Sequence, residues 1–170
     1  AYNISISLRL HGALDVSALR AAVRELPDRH ESLRATVSPD GGSLCIGESL
    51  DVDTRCLDIA DLDGASRDAA VEAALRAAVE TPFDLEHGPL FRSELLRLAH
   101  DEHLLILTAH HIVCDGWSWG VIAEELGTLY ARHLGHAEAS LPEPDRFSDY
   151  ARAEAMLGDD AAHRADEAYW

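Results

Sequence analysis

The chain has 170 residues, of which 47% are hydrophobic and 26% charged, as in one globular domain or one lobe of a larger domain. Its 14 basic and 31 acidic residues give a formal net charge of −17, which excludes a basic surface for nucleic acid phosphates or anionic lipids. No apolar run approaches the roughly 20 residues that a membrane-spanning helix needs. The three cysteines lack Cys-x-x-Cys spacing, so they predict no disulfide framework and no thiolate zinc site, and they favour a reducing cytoplasm.

The first half of the chain predicts one strand, a helix, several short strands and a second helix. Apolar and polar residues alternate over residues 3–10, which is the period of a half-buried strand. Asp15 is a suitable N-cap for a helix that ends before Pro27, and Ser66 begins a second helix that continues to about Glu80. Three shorter strands are predicted between these helices, at residues 33–37, 44–46 and 54–59.

The second half predicts two longer strands followed by two helices. Residues 90–98 form the first strand, and residues 103–109 are the most apolar segment of the chain, as in a central strand covered on both faces. Ser118 can cap a third helix, and a fourth is predicted over residues 147–157. These elements predict an α+β fold, an α/β sandwich in which helices flank a mostly antiparallel sheet.

A polar motif follows the most apolar strand and contains His110, His111, Asp115 and Gly116. Adjacent side chains of a strand point to opposite faces, so one histidine should face the packed side and the other a cleft. Asp115 can fold back onto an imidazole or a nearby cation, and Gly116 permits a backbone conformation closed to other residues and a close approach by substrate. An imidazole held in this way can act as a general base, although the spacing alone fits ordinary structural histidines equally well.

The segment Ala109-His110-His111-Ile112-Val113-Cys114-Asp115-Gly116-Trp117-Ser118 resembles the HHxxxDG signature of nonribosomal peptide synthetase condensation domains. Those domains are similar in fold to chloramphenicol acetyltransferase. Further segments resemble the family in the same order along the chain: RHESLR at 29–34, PFDL at 82–85, GPLFR at 88–92 and FSDYA at 147–151. Together they span most of the sequence, which makes the resemblance specific.

The resemblance implies that residues 1–170 form the N-terminal subdomain of a condensation domain, one of two lobes that enclose a tunnel. The abrupt end of the sequence at Trp170 agrees with an incomplete domain whose C-terminal lobe is absent. The implied partners are a donor and an acceptor carrier protein, together with that second lobe and a neighbouring adenylation domain. Each carrier brings its substrate on phosphopantetheine, and no cofactor or metal is expected on the chain itself. The lobe alone should be inactive, and its apolar face should self-associate.

The resemblance assigns the chemistry to His111. In the implied reaction, the amine on the acceptor attacks the acyl thioester on the donor and forms an amide. His111 would take the amine proton, or orient the amine and stabilise the tetrahedral intermediate. His110 would be a packed, hydrogen-bonded support, and the Gly116 N–H would face the developing oxyanion.

Asp115 is implied to be structural, paired with an arginine rather than relaying charge. Arg34 is the first predicted partner because it follows Leu33 in a predicted strand, and Arg29 is the second. Cys114 is interpreted as buried filler rather than a reactive thiol.

Three alternatives remain open. Trp117-Ser118-Trp119 is also similar to epimerization domains, which share the histidine motif but invert an α-carbon. A metal-dependent hydrolase could use His110, His111 and Asp115 as ligands, although the side chains of adjacent strand residues point to opposite faces. A second group of polar residues, His133 and His136 near Glu138, is interpreted as a solvated helix end. A non-catalytic carrier-docking module would keep carrier binding without His111.

Overall fold

The computed structural model describes residues 2–136 and 140–157. The strands are β1 Asn3–His11, β2 Ala35–Val37, β3 Leu44–Ile46, β4 Arg55–Asp58, β5 Phe91–Ala99 and β6 Glu102–His110. The helices are α1 Val16–Arg29, α2 Gly64–Glu80, α3 Gly116–His133 and α4 Phe147–Leu157, and a 3₁₀ helix, Glu31–Arg34, follows α1. Glu138 and the predicted end of the lobe at Trp170 lie outside the described residues.

A four-stranded sheet in the order β1-β6-β5-β4 forms the centre of the fold. β1 and β5 pair with β6 in antiparallel fashion, and β4 joins β5 in parallel. β2 and β3 form a separate antiparallel hairpin. The predicted α+β fold with a mostly antiparallel sheet is therefore confirmed.

The central strand β6 is buried on both faces, as its apolar run predicts. Every residue from His103 to Ala109 is buried. On one face, Leu105 and Leu107 join a core formed with α1 and α3. On the other, Leu104 and Ile106 pack with residues of α2. The helices thus flank the sheet from both sides, and the end of β6 emerges at the edge of the larger core.

The first helix and the strand after it differ from the prediction. α1 continues through Pro27 to Arg29, and the N–H of His30 donates to the carbonyl of Leu26 at 2.9 Å. Pro27 lacks the N–H that would donate to the Val23 carbonyl, so the helix continues without that hydrogen bond, and the Pro27 side chain is buried. Leu33 and Arg34 belong to the 3₁₀ helix, so only Ala35–Val37 is extended.

Two helix starts also differ, because aspartate side chains cap them. α2 is capped by Asp63, which accepts from the N–H of Ser66, and α3 is capped by Asp115, which accepts from the N–H of Ser118. Each predicted cap serine therefore lies one turn inside its helix. Among the described residues, no helix combines the length and apolar character needed to cross a bilayer.

Candidate active site

The motif occupies the turn between the end of β6 and the start of α3. β6 ends at His110, and the turn closes where the N–H of Val113 donates to the His110 carbonyl at 3.0 Å. The N–H of His111 donates to the carbonyl of Tyr2, just before β1, at 2.7 Å. His111 therefore lies just beyond the strand, and its backbone is tied to the residue that precedes β1.

His110 supports the turn from the partly buried side. Its ring meets Phe83 edge to face, with centroids 6.4 Å apart and planes at 85°. The N–H of Ile112 donates to its Nδ1 at 3.2 Å, which requires an unprotonated Nδ1. Burial lowers the pKa of His110 below its ordinary value, and the neighbouring His111 lowers it further. The geometry agrees with a neutral, packed support.

His111 presents its imidazole to the outside. The side chain is exposed, and its ring nitrogens form no hydrogen bond with any residue in the described ranges 2–136 and 140–157. A ring that is held through its backbone while both nitrogens stay available can accept or donate a proton. The two histidines thus have separate environments, His110 partly buried and His111 exposed.

Asp115 pairs with neither of its two predicted partners, because Arg34 and Arg29 bond elsewhere, so the prediction of these two partners is wrong. Its Oδ1 accepts from the Ser118 N–H at 2.8 Å and from the Ser118 hydroxyl at 2.7 Å, while Ser118 Oγ accepts from the Asp115 N–H at 3.1 Å. This capping box satisfies donors of the first turn of α3. The hydrogen bonds from the side chain and backbone of Ser118 lower the pKa of Asp115, which is exposed.

Arg34 stabilises the end of α1 instead of contacting the motif. Its guanidinium donates to the backbone carbonyls of Pro27, Asp28 and Gly47. The carbonyls at the C-terminal end of a helix lack partners within the helix, so an arginine there satisfies acceptors rather than a carboxylate. Its predicted role as the partner of Asp115 is corrected.

Arg29, the second predicted partner, pairs with Glu125 of α3. Its Nε and Nη2 donate to the two carboxylate oxygens at 2.9 and 3.0 Å, and His30 Nε2 lies 2.7 Å from Glu125 Oε2. Glu125 is only 8% exposed. Burial opposes its ionisation, but the hydrogen bonds from Arg29 and His30 outweigh this and hold its pKa below the ordinary value. The hydrogen bonds that Arg29 donates to Glu125 raise the pKa of Arg29.

The prediction did not include Glu125, although the sequence carries a signal for it. Ile122, Leu126 and Leu129 are buried on the same helix, so a glutamate within this apolar stripe needs a cationic partner. The segment before α4 is tied to the same place, because Arg29 Nη2 also donates to the carbonyl of Pro142 at 2.7 Å. The RHESLR segment at residues 29–34 is thus a structural junction.

Gly116 does not need to be glycine for its backbone conformation, contrary to the prediction. Its φ does not lie in the positive range, and a Cβ placed on it would meet no atom of the described residues within 4 Å. Its N–H belongs to the first turn of α3, where backbone donors have no partner inside the helix. The open space beside it leaves room for a substrate to approach closely.

The described residues offer neither a metal site nor a reactive thiol at the motif. Within residues 2–136 and 140–157, no group of three or more His, Cys, Asp or Glu side chains is placed to hold a metal ion, and His133 instead lies 3.3 Å from Glu25. Cys114 is buried, and burial raises the pKa of its thiol to about 12. The thiol is therefore protonated and covered, as interpreted from the sequence.

Comparison with known proteins identifies the family. The chain matches the Condensation domain family over residues 1–170. It is 39% identical over 151 residues to the dimodular nonribosomal peptide synthase of Bacillus subtilis (strain 168), covering 88% of this chain and 6% of that protein. It is 36% identical over 173 residues to chondramide synthase cmdD of Chondromyces crocatus, covering 100% of this chain and 4% of that protein.

The fold agrees with a solved member of the same family. The starter condensation domain of rhizomide synthetase RzmA superposes with a TM-score of 0.87 at 27% identity, over 99% of this chain and 43% of that chain. The chain thus spans a small part of the synthetases it matches and less than half of that solved structure. From its sequence match and its fold, this chain belongs to the condensation domain family of nonribosomal peptide synthetases.

Proposed function

We propose that the chain is one lobe of an acyltransferase that forms amide bonds between two carrier-bound substrates, with His111 acting on the attacking amine. The observation that carries the proposal is the exposed imidazole of His111 at the end of β6, tied through its backbone to the carbonyl of Tyr2. A general base needs this combination of a fixed position and an available ring nitrogen.

The reaction balances without a resident cofactor. The amine nitrogen of the acceptor bonds to the thioester carbonyl carbon of the donor, and the carbon–sulfur bond breaks. The proton lost by the nitrogen passes to the departing sulfur, either directly or by way of His111, and the sulfur leaves as the phosphopantetheine thiol of the donor carrier. His111 serves either as the base or as the group that orients the amine. The N–H of Gly116 is proposed to donate to the oxyanion of the tetrahedral intermediate.

The second lobe is part of the proposal, as are the two carrier proteins and an adenylation domain in the parent chain. Residues 1–170 are proposed to be the N-terminal lobe, and a span of 43% of the solved condensation domain fits one of two lobes. Apolar side chains stand exposed beside the motif, including Trp117 at 89%, Ile112 at 45% and Val121 at 48%. The second lobe would cover them, and the lobe alone should self-associate through them. All three cysteines are free thiols, which suits a reducing cytoplasm.

The test compares His111→Ala with His100→Ala in the complete synthetase with loaded carriers. His100 is exposed in the turn between β5 and β6, at the other end of the hairpin that carries the motif. Loss of His111 should reduce amide formation by about 10²- to 10⁴-fold, the usual contribution of general acid–base catalysis. His100→Ala should leave the rate unchanged, and carrier loading should be normal in both variants.

Three outcomes would overturn the proposal. One is near-normal amide formation by folded His111→Ala. Another is a wild-type enzyme that binds carriers without turnover, which indicates a docking module. The third is inversion of the acyl α-carbon without a new amide, which indicates an epimerization domain.

A further inference from the structure

Arg92 connects the C-terminal end of α2 to the motif. It lies on β5, and its Nη2 donates to the carbonyls of Ala78 and Thr81 at 2.8 and 2.7 Å. The same guanidinium lies over the ring of Phe83, with Cζ 4.2 Å from the ring centroid. An arginine can do both at once, because its planar cation stacks on a ring face while the N–H groups donate at the edge.

Phe83 carries this contact on to His110. Phe83 is partly buried against the main core and meets the His110 ring edge to face. His110 in turn accepts the N–H of Ile112, the residue that follows His111. The contacts therefore run without a break from the end of α2, through Arg92, Phe83 and His110, to the turn that presents His111.

We propose that Arg92 is a positioning residue for the reaction, acting through Phe83 and His110 on the turn that carries His111. This inference rests on the proposed function of His111. Arg92 fixes the plane of the Phe83 ring from one side, and Phe83 limits rotation of the His110 ring from the other. A His110 ring that rotates loses its hydrogen bond to Ile112, and the turn then presents His111 less accurately.

The experiment measures kcat and the KM for each carrier in the complete synthetase with Arg92→Met, Arg92→Lys and Phe83→Leu. Small displacements of a catalytic group cost about 10- to 100-fold in rate, so Arg92→Met should lower kcat by about that factor with both KM values unchanged. Arg92→Lys should recover part of the rate, because lysine keeps a cation near the ring but cannot stack on it while it donates to both carbonyls. The double variant Arg92→Met with Phe83→Leu should lose little more than the worse single variant.

Arg20→Met is the matched control. Arg20 also binds a backbone carbonyl, because its Nε and Nη2 donate to the carbonyl oxygen of Thr54 at 3.1 and 2.7 Å. Unlike Arg92, its guanidinium stacks on no aromatic ring in the described part of the chain. Its loss should lower Tm without lowering kcat at a temperature where the enzyme is folded.

The inference fails if Arg92→Met keeps the wild-type kcat, if Arg20→Met lowers kcat equally, or if the effects of Arg92→Met and Phe83→Leu simply multiply. It also fails if Arg92→Lys is as slow as Arg92→Met. Failure of the proposed function is a separate result. It would be seen as a wild-type rate of amide formation in His111→Ala, independently of the rates measured for the Arg92 variants.

Discussion

Asp115 and Ser118 exchange hydrogen bonds at the start of α3: the carboxylate accepts from the N–H and hydroxyl of Ser118, and the serine oxygen accepts from the Asp115 N–H. The aspartate of the motif thereby ends the turn that holds His111 and begins the helix. In the described part of the chain, the Asp115 carboxylate caps α3 and so fixes where that helix starts.

Asp115→Ala should therefore lower stability moderately. The substitution removes an N-cap, which weakens a helix, but leaves no buried cation without a partner. We expect Asp115→Ala to lower Tm of the condensation domain by several degrees. Asp115→Asn should lower Tm less, because asparagine also caps helices. Differential scanning calorimetry checks this. An unchanged Tm for Asp115→Ala would show that the capping box does not stabilise α3.

Glu125→Gln should be far more damaging. The change leaves the guanidinium of Arg29 partly buried without its carboxylate, since the Arg29 and Glu125 side chains are only 17% and 10% exposed. Breaking such a pair typically costs about 3–5 kcal/mol of the free energy of unfolding. Denaturant titration of the domain measures the loss. Glu72→Gln, in an exposed pair with Arg76 on α2, is the control and should change stability very little.

Stability should fall on acidification below about pH 6.5, before the carboxylates titrate. Burial lowers the pKa of His103 from its ordinary 6.5, and His110 shifts in the same direction. Between pH 6.5 and the lower pKa values of the folded state, these histidines are protonated in the unfolded chain but not in the folded chain. The free energy of unfolding is therefore at its full value above pH 6.5 and declines as the pH falls towards the pKa values of the folded state. The lowered pKa of Glu125 adds a second loss below its ordinary value of 4.5.

The measurement is Tm between pH 8 and pH 3, with His103→Leu as a comparison. His103 is 5% exposed and its Nδ1 lacks a hydrogen-bond partner among the described residues, so leucine removes a costly protonation there. We expect a shallower decline between pH 6.5 and 5 in this variant. Identical profiles for wild type and variant would exclude His103 as a source of the acid sensitivity.

Cys114 should resist alkylation in the folded protein. Its thiol is buried and its pKa is raised to about 12, so almost no thiolate is present at neutral pH. Cys45 and Cys56 are exposed and should react with iodoacetamide at pH 7.5. Peptide mass spectrometry distinguishes the three sites, and denaturant should make Cys114 reactive. Rapid labelling of native Cys114 would show that the thiol is accessible.

The sequence by itself determined the features that depend on local pattern. The apolar run of residues 103–109 became the buried centre of β6, and the motif lies where that strand ends. The helix predicted over residues 147–157 is α4. The spacing of apolar residues along the sequence indicates which face of a helix or strand is apolar. That face packs into the core, and this holds for any arrangement of the neighbouring elements.

The tertiary structure decided which charged groups meet. Arg29 and Glu125 are 96 residues apart, and local periodicity contains no information about such a pairing. Arg34 was predicted to lie in a strand over residues 33–37, but the chain turns through a 3₁₀ helix and brings Arg34 to the end of α1. A hydrogen bond depends on ångström-scale placement of both groups, and that placement exists only once the helices have packed on the sheet.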